Sequence, residues 1–210
     1  KSLGLRVCGV PVDDEGLIVD AIPPGTRFVY VSPSHQFPLG MSMSLHRRLA
    51  LLEWARRTGA AIVEDDYDSE FRFDGRPIEP LQMLDTHDRV FYVGSFSKTM
   101  LPTLRLGFLV APPSLRESLR AAKFLADWHS PLATQAAMAR FIDDGLFARH
   151  VRSMRSVYEA RHRLIVDVLT HSFADELDVV RSSVGLHVAA RARSAPVDAI
   201  VEVVQRASAL

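Results

Sequence analysis

Hydrophobic and polar positions follow two alternating patterns through the first half of the chain. Arg27-Phe28-Val29-Tyr30-Val31-Ser32 is a β-branched and aromatic run bounded by Pro23-Pro24-Gly25 and Pro33, which predicts a buried strand. From Ser44 the apolar positions Leu45, Leu49, Leu52 and Ala55 recur at helical spacing and Gly59 supplies a stop, so a helix is expected between them. Arg47, Arg48, Arg56 and Arg57 lie off that stripe and read as its solvated face. Ala60 to Asp65, Arg89 to Ser95 and Leu106 to Val110 predict three further strands. Near-continuous apolar strands separated by helical or loop segments argue for an α/β fold, with a mainly parallel sheet flanked by helices.

The second half is mostly helical in pattern. Ser114 is expected to cap a helix carrying Leu115, Leu119 and Ala122, and Pro131 to open another that runs through Ala136 and Phe141 toward Gly145. A longer apolar stripe follows at Met154, Val157, Leu164, Ile165 and Val168, interleaved with Arg152, Arg155, Arg161 and Arg163. Asp178 to Val180 and Leu186 to Ala189 suggest a return to strand, and Pro196 to Ala207 one more amphipathic helix. A domain boundary is expected inside the long helix, dividing 1–154 from 155–210.

Composition narrows the function classes. The 210 residues are 48% hydrophobic and 24% charged, which excludes a disordered or collagen-like chain. Twenty-five Lys and Arg balance 25 Asp and Glu, so no net positive field exists to hold a polyanion, and binding to nucleic acid would need a separate module. The single cysteine, Cys8, fits a reducing compartment and reads as a packing residue. No apolar run approaches the roughly 18 to 20 residues of a membrane span, and the first six residues are too short for a signal peptide. A cytoplasmic protein without a membrane partner is expected. The chain opens without Met and closes within a helical pattern, which suggests a fragment.

Polar residues that follow apolar strands carry the most weight, because ligands of open α/β sheets sit outside the carboxyl ends of the strands. Glu64-Asp65-Asp66-Tyr67-Asp68-Ser69-Glu70 is one such cluster; Gly94-Ser95-Phe96-Ser97-Lys98-Thr99, with Arg105 beyond it, is the other. An amine flanked by hydroxyls and a guanidinium is the equipment for a Schiff base with a phosphorylated carbonyl compound, and pyridoxal 5'-phosphate is the evident candidate. That cofactor needs a carboxylate to keep its pyridine nitrogen protonated, which Asp65 can supply. Tyr67, two positions on and therefore on the same side of an extended strand, suits the ring's 3-hydroxyl oxygen.

Residues 29 to 111 resemble the core of the fold type I aminotransferases in their acid-then-tyrosine strand end, Ser-x-Ser-Lys motif and following Arg-x-Gly. Within that group they resemble the MocR subgroup of GntR-type bacterial transcription regulators. Ser32-Pro33-Ser34-His35-Gln36-Phe37-Pro38-Leu39-Gly40 and Asp65-Asp66-Tyr67-Asp68-Ser69-Glu70-Phe71 carry the likeness. The resemblance implies an aspartate aminotransferase-like large domain, with part of the smaller C-terminal α/β domain. Lys98 would be the internal aldimine lysine, Asp65 the pyridinium partner and Tyr67 the partner of the 3-hydroxyl oxygen. Ser95, Arg105 and, less directly, Ser97 would hold the phosphate. Ordinary aminotransferases carry asparagine where Phe37 stands, and a phenyl ring makes no hydrogen bond; His35 or Gln36 are the candidates to compensate.

The implied partners are an amino compound or amino acid and a second subunit in a homodimer. DNA would be bound only through an N-terminal winged helix-turn-helix outside this chain. The alternative is a stand-alone aminotransferase. The arginine that commonly binds the substrate carboxylate in the family would lie beyond Leu210.

Other readings of the same residues are weaker. Asp66, Asp68 and Glu70 offer oxygens to a hard cation, yet no EF-hand loop follows, and solvated or salt-bridged acids are expected, with no metal site. His129, His150, His162 and His171 have no ligand spacing. A nucleotide-hydrolase phosphate loop would need glycine where Ser97 precedes Lys98.

Overall fold

The structure, a computed structural model, describes residues 4–73, 79–180, 182, 184–194, 199 and 201–202. A small antiparallel ribbon of β1 (Val12–Asp13) and β2 (Gly16–Leu17) opens the chain. The expected strands and helix of the first half then follow in order, β3 (Phe28–Val31), α1 (Leu45–Thr58), β4 (Ala61–Asp66), β5 (Val90–Ser95) and β6 (Gly107–Val110), with one short helix that was not expected, α2 (Leu81–Leu84), between β4 and β5. Ser44 caps α1 by accepting the Arg47 N–H, and Gly59 ends it in the left-handed conformation, as their positions in the sequence lead one to expect.

The four strands form one sheet in the order β3-β4-β5-β6. β3, β4 and β5 run parallel, but β6 returns antiparallel to β5, so the sheet is mixed at that edge. The short Phe96–Leu106 connection is the reason: without a crossover helix the chain can only turn back on itself. One face of the sheet carries the core. Val29, Val31, Ile62 and Val90 pack there against Leu51 and Ala55 of α1, Leu81 of α2, and Leu17, Val19, Ile22 and Met43 from the preceding segments. Phe28 and Tyr30, on the opposite face, are exposed.

The buried face of α1 differs from the expected one. Leu45 and Leu49 are half exposed, whereas Arg48, Leu51 and Ala55 are fully buried. Arg48 is therefore no part of a solvated face. Its guanidinium donates to the carbonyls of Met43 (3.1 Å), Glu79 (3.2 Å) and Pro33 (2.9 Å) and faces the buried Glu64 carboxylate at 3.7 Å. A helical period marks which positions share a side, but which side is covered depends on the loops that fold over it.

The second half comprises α3 (Arg116–Asp127), α4 (Leu132–Asp143), α5 (Leu146–Ser172), β7 (Leu177–Val179) and β8 (Ala190–Ala192). Ser114 lies in a 3-10 turn and does not cap α3, whose N-cap is Leu115 without a side-chain bond. The final strand lies at 190–192 in place of the expected 186–189. α5 runs unbroken through residue 155. The amphipathic pattern at 196–207 falls mostly outside the described residues. Cys8 is exposed and not packed, as are its neighbours from Leu5 to Gly9, because that segment runs along the surface. Among the described residues no helix is long and apolar enough to cross a membrane.

Candidate active site at the strand ends

Strand register brings the two sequence clusters to one end of the sheet. Asp65 pairs with Val93 and Asp66 with Gly94, so the carboxyl end of β4 lies beside that of β5. Ser95 pairs with Gly107, and the ladder continues through the Phe96 N–H bond to the Leu106 carbonyl at 3.1 Å. This sets Ser95, Ser97 and Lys98 on one limb of a tight return and Arg105 on the other. A helical turn closed by the Met100 N–H on the Phe96 carbonyl carries Lys98, which is exposed. Ser95 Oγ accepts the Ser97 N–H at 3.1 Å, and Arg105 adopts a left-handed backbone at φ 50°. Gly94 allows this return: a Cβ there would stand 2.3 Å from the Phe108 ring that crosses it.

The alternation of β4 separates its acids into two sets. Glu64 and Asp66 face the buried side; Asp65 shares the other side with Tyr67. Asp65 Oδ2 accepts a short hydrogen bond from the Tyr30 hydroxyl on β3. Partial desolvation of the hydroxyl end, in a residue otherwise exposed, and then this carboxylate push the Tyr30 phenol up to about 12. The Tyr67 hydroxyl donates to the His35 carbonyl at 2.7 Å, and its ionisation is pushed up by burial and then by Asp68 and Asp65. Tyr67 is thus a neutral, oriented hydroxyl.

Of the remaining acids Glu70 is exposed, whereas Glu64, Asp66 and Asp68 are buried and bonded within the protein. Asp66 accepts from Tyr92 Oη (2.8 Å) and Ser69 Oγ (2.6 Å). Glu64 accepts the Leu81 and Gln82 N–H groups, both at 2.9 Å, which caps α2, and burial raises its carboxyl. Asp68 is almost fully buried; its Oδ2 accepts the Leu186 N–H at 2.9 Å, and both its oxygens lie 3.0 Å from His35 Nδ1.

His35 meets the site through its backbone. Its ring is 1% exposed, tied to Asp68 and stacked on His187 at a centroid distance of 3.9 Å. Gln36 is committed to its own turn, with Nε2 donating to the Phe37 carbonyl and Oε1 accepting the Leu39 N–H. Phe37 is exposed, with its ring edge toward His187. Pattern reading passed over Tyr30 and His187 and placed Arg48 on a solvated face; Tyr30 and Arg48 act through partners distant in sequence.

A sheet with an amine, two hydroxyls and a guanidinium beside a strand-end carboxylate defines a class. The fold is that of the fold type I pyridoxal phosphate-dependent transferases, and the donor set fits an aldehyde, a phosphate and a protonated ring nitrogen. The chain belongs to the aminotransferase class I and II family, which it matches over residues 20–207. Membership implies use of pyridoxal phosphate.

The chain is 41% identical over 191 residues to the probable rhizopine catabolism regulatory protein MocR of Rhizobium meliloti, covering 90% of this chain and 39% of that protein. It is 39% identical over 180 residues to the uncharacterized HTH-type transcriptional regulator YhdI of Bacillus subtilis, covering 85% and 38%. The chain therefore spans about two fifths of these relatives. Among solved structures it is similar to LysN, the α-aminoadipate aminotransferase of Thermus thermophilus, complexed with N-(5'-phosphopyridoxyl)-L-leucine. The identity there is 31% and the TM-score 0.79, over 86% of this chain and 48% of that one.

Proposed function

We propose that this chain is the pyridoxal phosphate-binding, effector-sensing domain of a MocR-type regulator of the GntR class. The observation that carries the reading is the meeting of Asp65 with Ser95, Ser97, Lys98 and Arg105 at one end of β4, β5 and β6. Similarity to regulators along most of the chain supports it over a stand-alone aminotransferase. In this reading an amino compound is the effector, the whole protein is a cytoplasmic homodimer, and a winged helix-turn-helix outside this chain contacts DNA. The boundary between large and small domains falls near residue 155.

When bound, pyridoxal phosphate supplies an electron sink for charge developing at the carbon next to an amine. Lys98 offers its amine as the covalent anchor and as the group that moves a proton at that carbon. Asp65 holds the ring nitrogen in its protonated form by an ion-paired hydrogen bond, and Tyr30 fixes the orientation of that carboxylate. Ser95, Ser97 and Arg105 bind the phosphate oxygens. Tyr67, already oriented by the His35 carbonyl, serves the 3-hydroxyl oxygen. His35 thereby contributes as a positioning residue, and Tyr67 takes up what Phe37 cannot provide.

The test uses the full-length protein. A visible absorbance band should be fixed by borohydride as cofactor mass on the Lys98 peptide, and Lys98→Ala should abolish it. Cofactor mass on another peptide would refute the assignment. An amino compound that shifts this band should also change affinity for operator DNA. Sustained release of a keto product with no effect on DNA binding would instead establish the stand-alone aminotransferase.

A further inference from the structure

Beside Tyr67, whose ring centroid lies 5.9 Å from that of His35, three segments bring ligand-type side chains together. His35 comes from the loop after β3, Asp68 from the segment after β4, and His187 from the approach to β8. One ligand atom from each lies within 4.8 Å of the others. His35 and Asp68 are almost fully buried, and His187 is half buried.

The hydrogen-bonding pattern leaves this cluster short of a partner. His35 Nδ1 is committed to Asp68, yet the Nε2 atoms of both rings are buried with no hydrogen-bond partner among the described residues. Asp68 lies on His35 Nδ1, so that nitrogen is the one that can share an ion with the carboxylate, and His187 keeps a bare Nε2. The backbone leaves no space for a side chain to fill: at Gly185, with φ 83°, a Cβ would stand 1.7 Å from His35 Nδ1 and 2.6 Å from Asp68 Oδ2.

We propose that His35, Asp68 and His187 bind one divalent d-block cation of the zinc or nickel kind. Two imidazoles and one carboxylate suit such ions, whereas Mg²⁺ and Ca²⁺ favour all-oxygen sets. The Leu186 N–H on Asp68 Oδ2 fixes the carboxylate, as a supporting hydrogen bond does in metal sites. The two rings stack with their planes 27° apart. The site joins residues 184–187 to the loop carrying His35, so an occupied site would clasp the C-terminal segment to the strand ends. It stands whether or not the cofactor reading holds.

The experiment titrates chelator-treated, full-length protein with Co²⁺, followed by its visible ligand-field bands, with Zn²⁺ as competitor. One equivalent per chain is expected. Asp68→Asn and His187→Gln should each weaken binding at least about tenfold, while His171→Gln, at the exposed end of α5, leaves it unchanged. Labelling of wild-type protein with diethyl pyrocarbonate supplies a readout that needs no variant: Zn²⁺ should protect the His187 peptide. Absence of a saturable equivalent, unchanged affinity in both variants, or equal labelling with and without Zn²⁺ would each overturn the proposal.

Discussion

Replacing Arg48 with Met tests whether the buried arginine, and not the apolar stripe alone, holds α1 to the loops around the site. The guanidinium is wholly buried and donates to three backbone carbonyls, at Pro33, Met43 and Glu79, while it faces Glu64 at 3.7 Å. Met fills much of the volume but donates nothing. Three carbonyls lose their donor and the Glu64 carboxylate is left without its countercharge, a defect that typically costs about 3–5 kcal/mol. For a domain of this size that corresponds to a fall in melting midpoint of about 6–20 °C. Thermal and urea unfolding of the full-length protein by circular dichroism would measure it. Glu64→Gln keeps an acceptor for the Leu81 and Gln82 N–H groups but removes the charge. The double variant should therefore be less destabilised than the two single effects added together. A midpoint within about 2 °C of wild type for Arg48→Met, or strict additivity in the double variant, would refute the account.

Three other outcomes follow from particular contacts. Gly185→Ala should destabilise by about 2–4 kcal/mol, combining left-handed backbone strain with a clash against a ring that has no room to move, and chemical denaturation measures it. His187 and His162 are both depressed below 6.5, mainly by burial, so the unfolded chain binds more protons below that pH. Stability they contribute is present above pH 6.5 and lost as pH falls through their folded values; His187→Gln should flatten that acid limb, as read from melting midpoints across pH. Tyr67→Phe removes the bond to the His35 carbonyl and should weaken cofactor retention, read as faster loss of the visible band on dialysis, with a stability change of only about 1 kcal/mol.

Much of the site was legible before any fold was known. Strand runs that end abruptly in acids, or in Gly-Ser-x-Ser-Lys, announce a ligand end because apolar stretches have to stop where a site begins. The register of β4 with β5 and the short return into β6 then bring Asp65, Ser95, Lys98 and Arg105 together. The helix ends at Ser44 and Gly59 were equally local, since each cap satisfies groups within one turn.

What the chain by itself determined is the order of its strands and helices, the motifs at their ends and hence the family's chemistry. These depend on spacing and on neighbours a few residues apart. Only the tertiary structure decided where the remaining polar groups go. Arg48 turned inward because the loops at Pro33 and Glu79 presented carbonyls to it, and Asp68 became the anchor of His35 and of Leu186, which lies more than a hundred positions away. A polar side chain can be satisfied equally well by water or by a distant partner. Burial settles which, and burial is a property of the assembled chain.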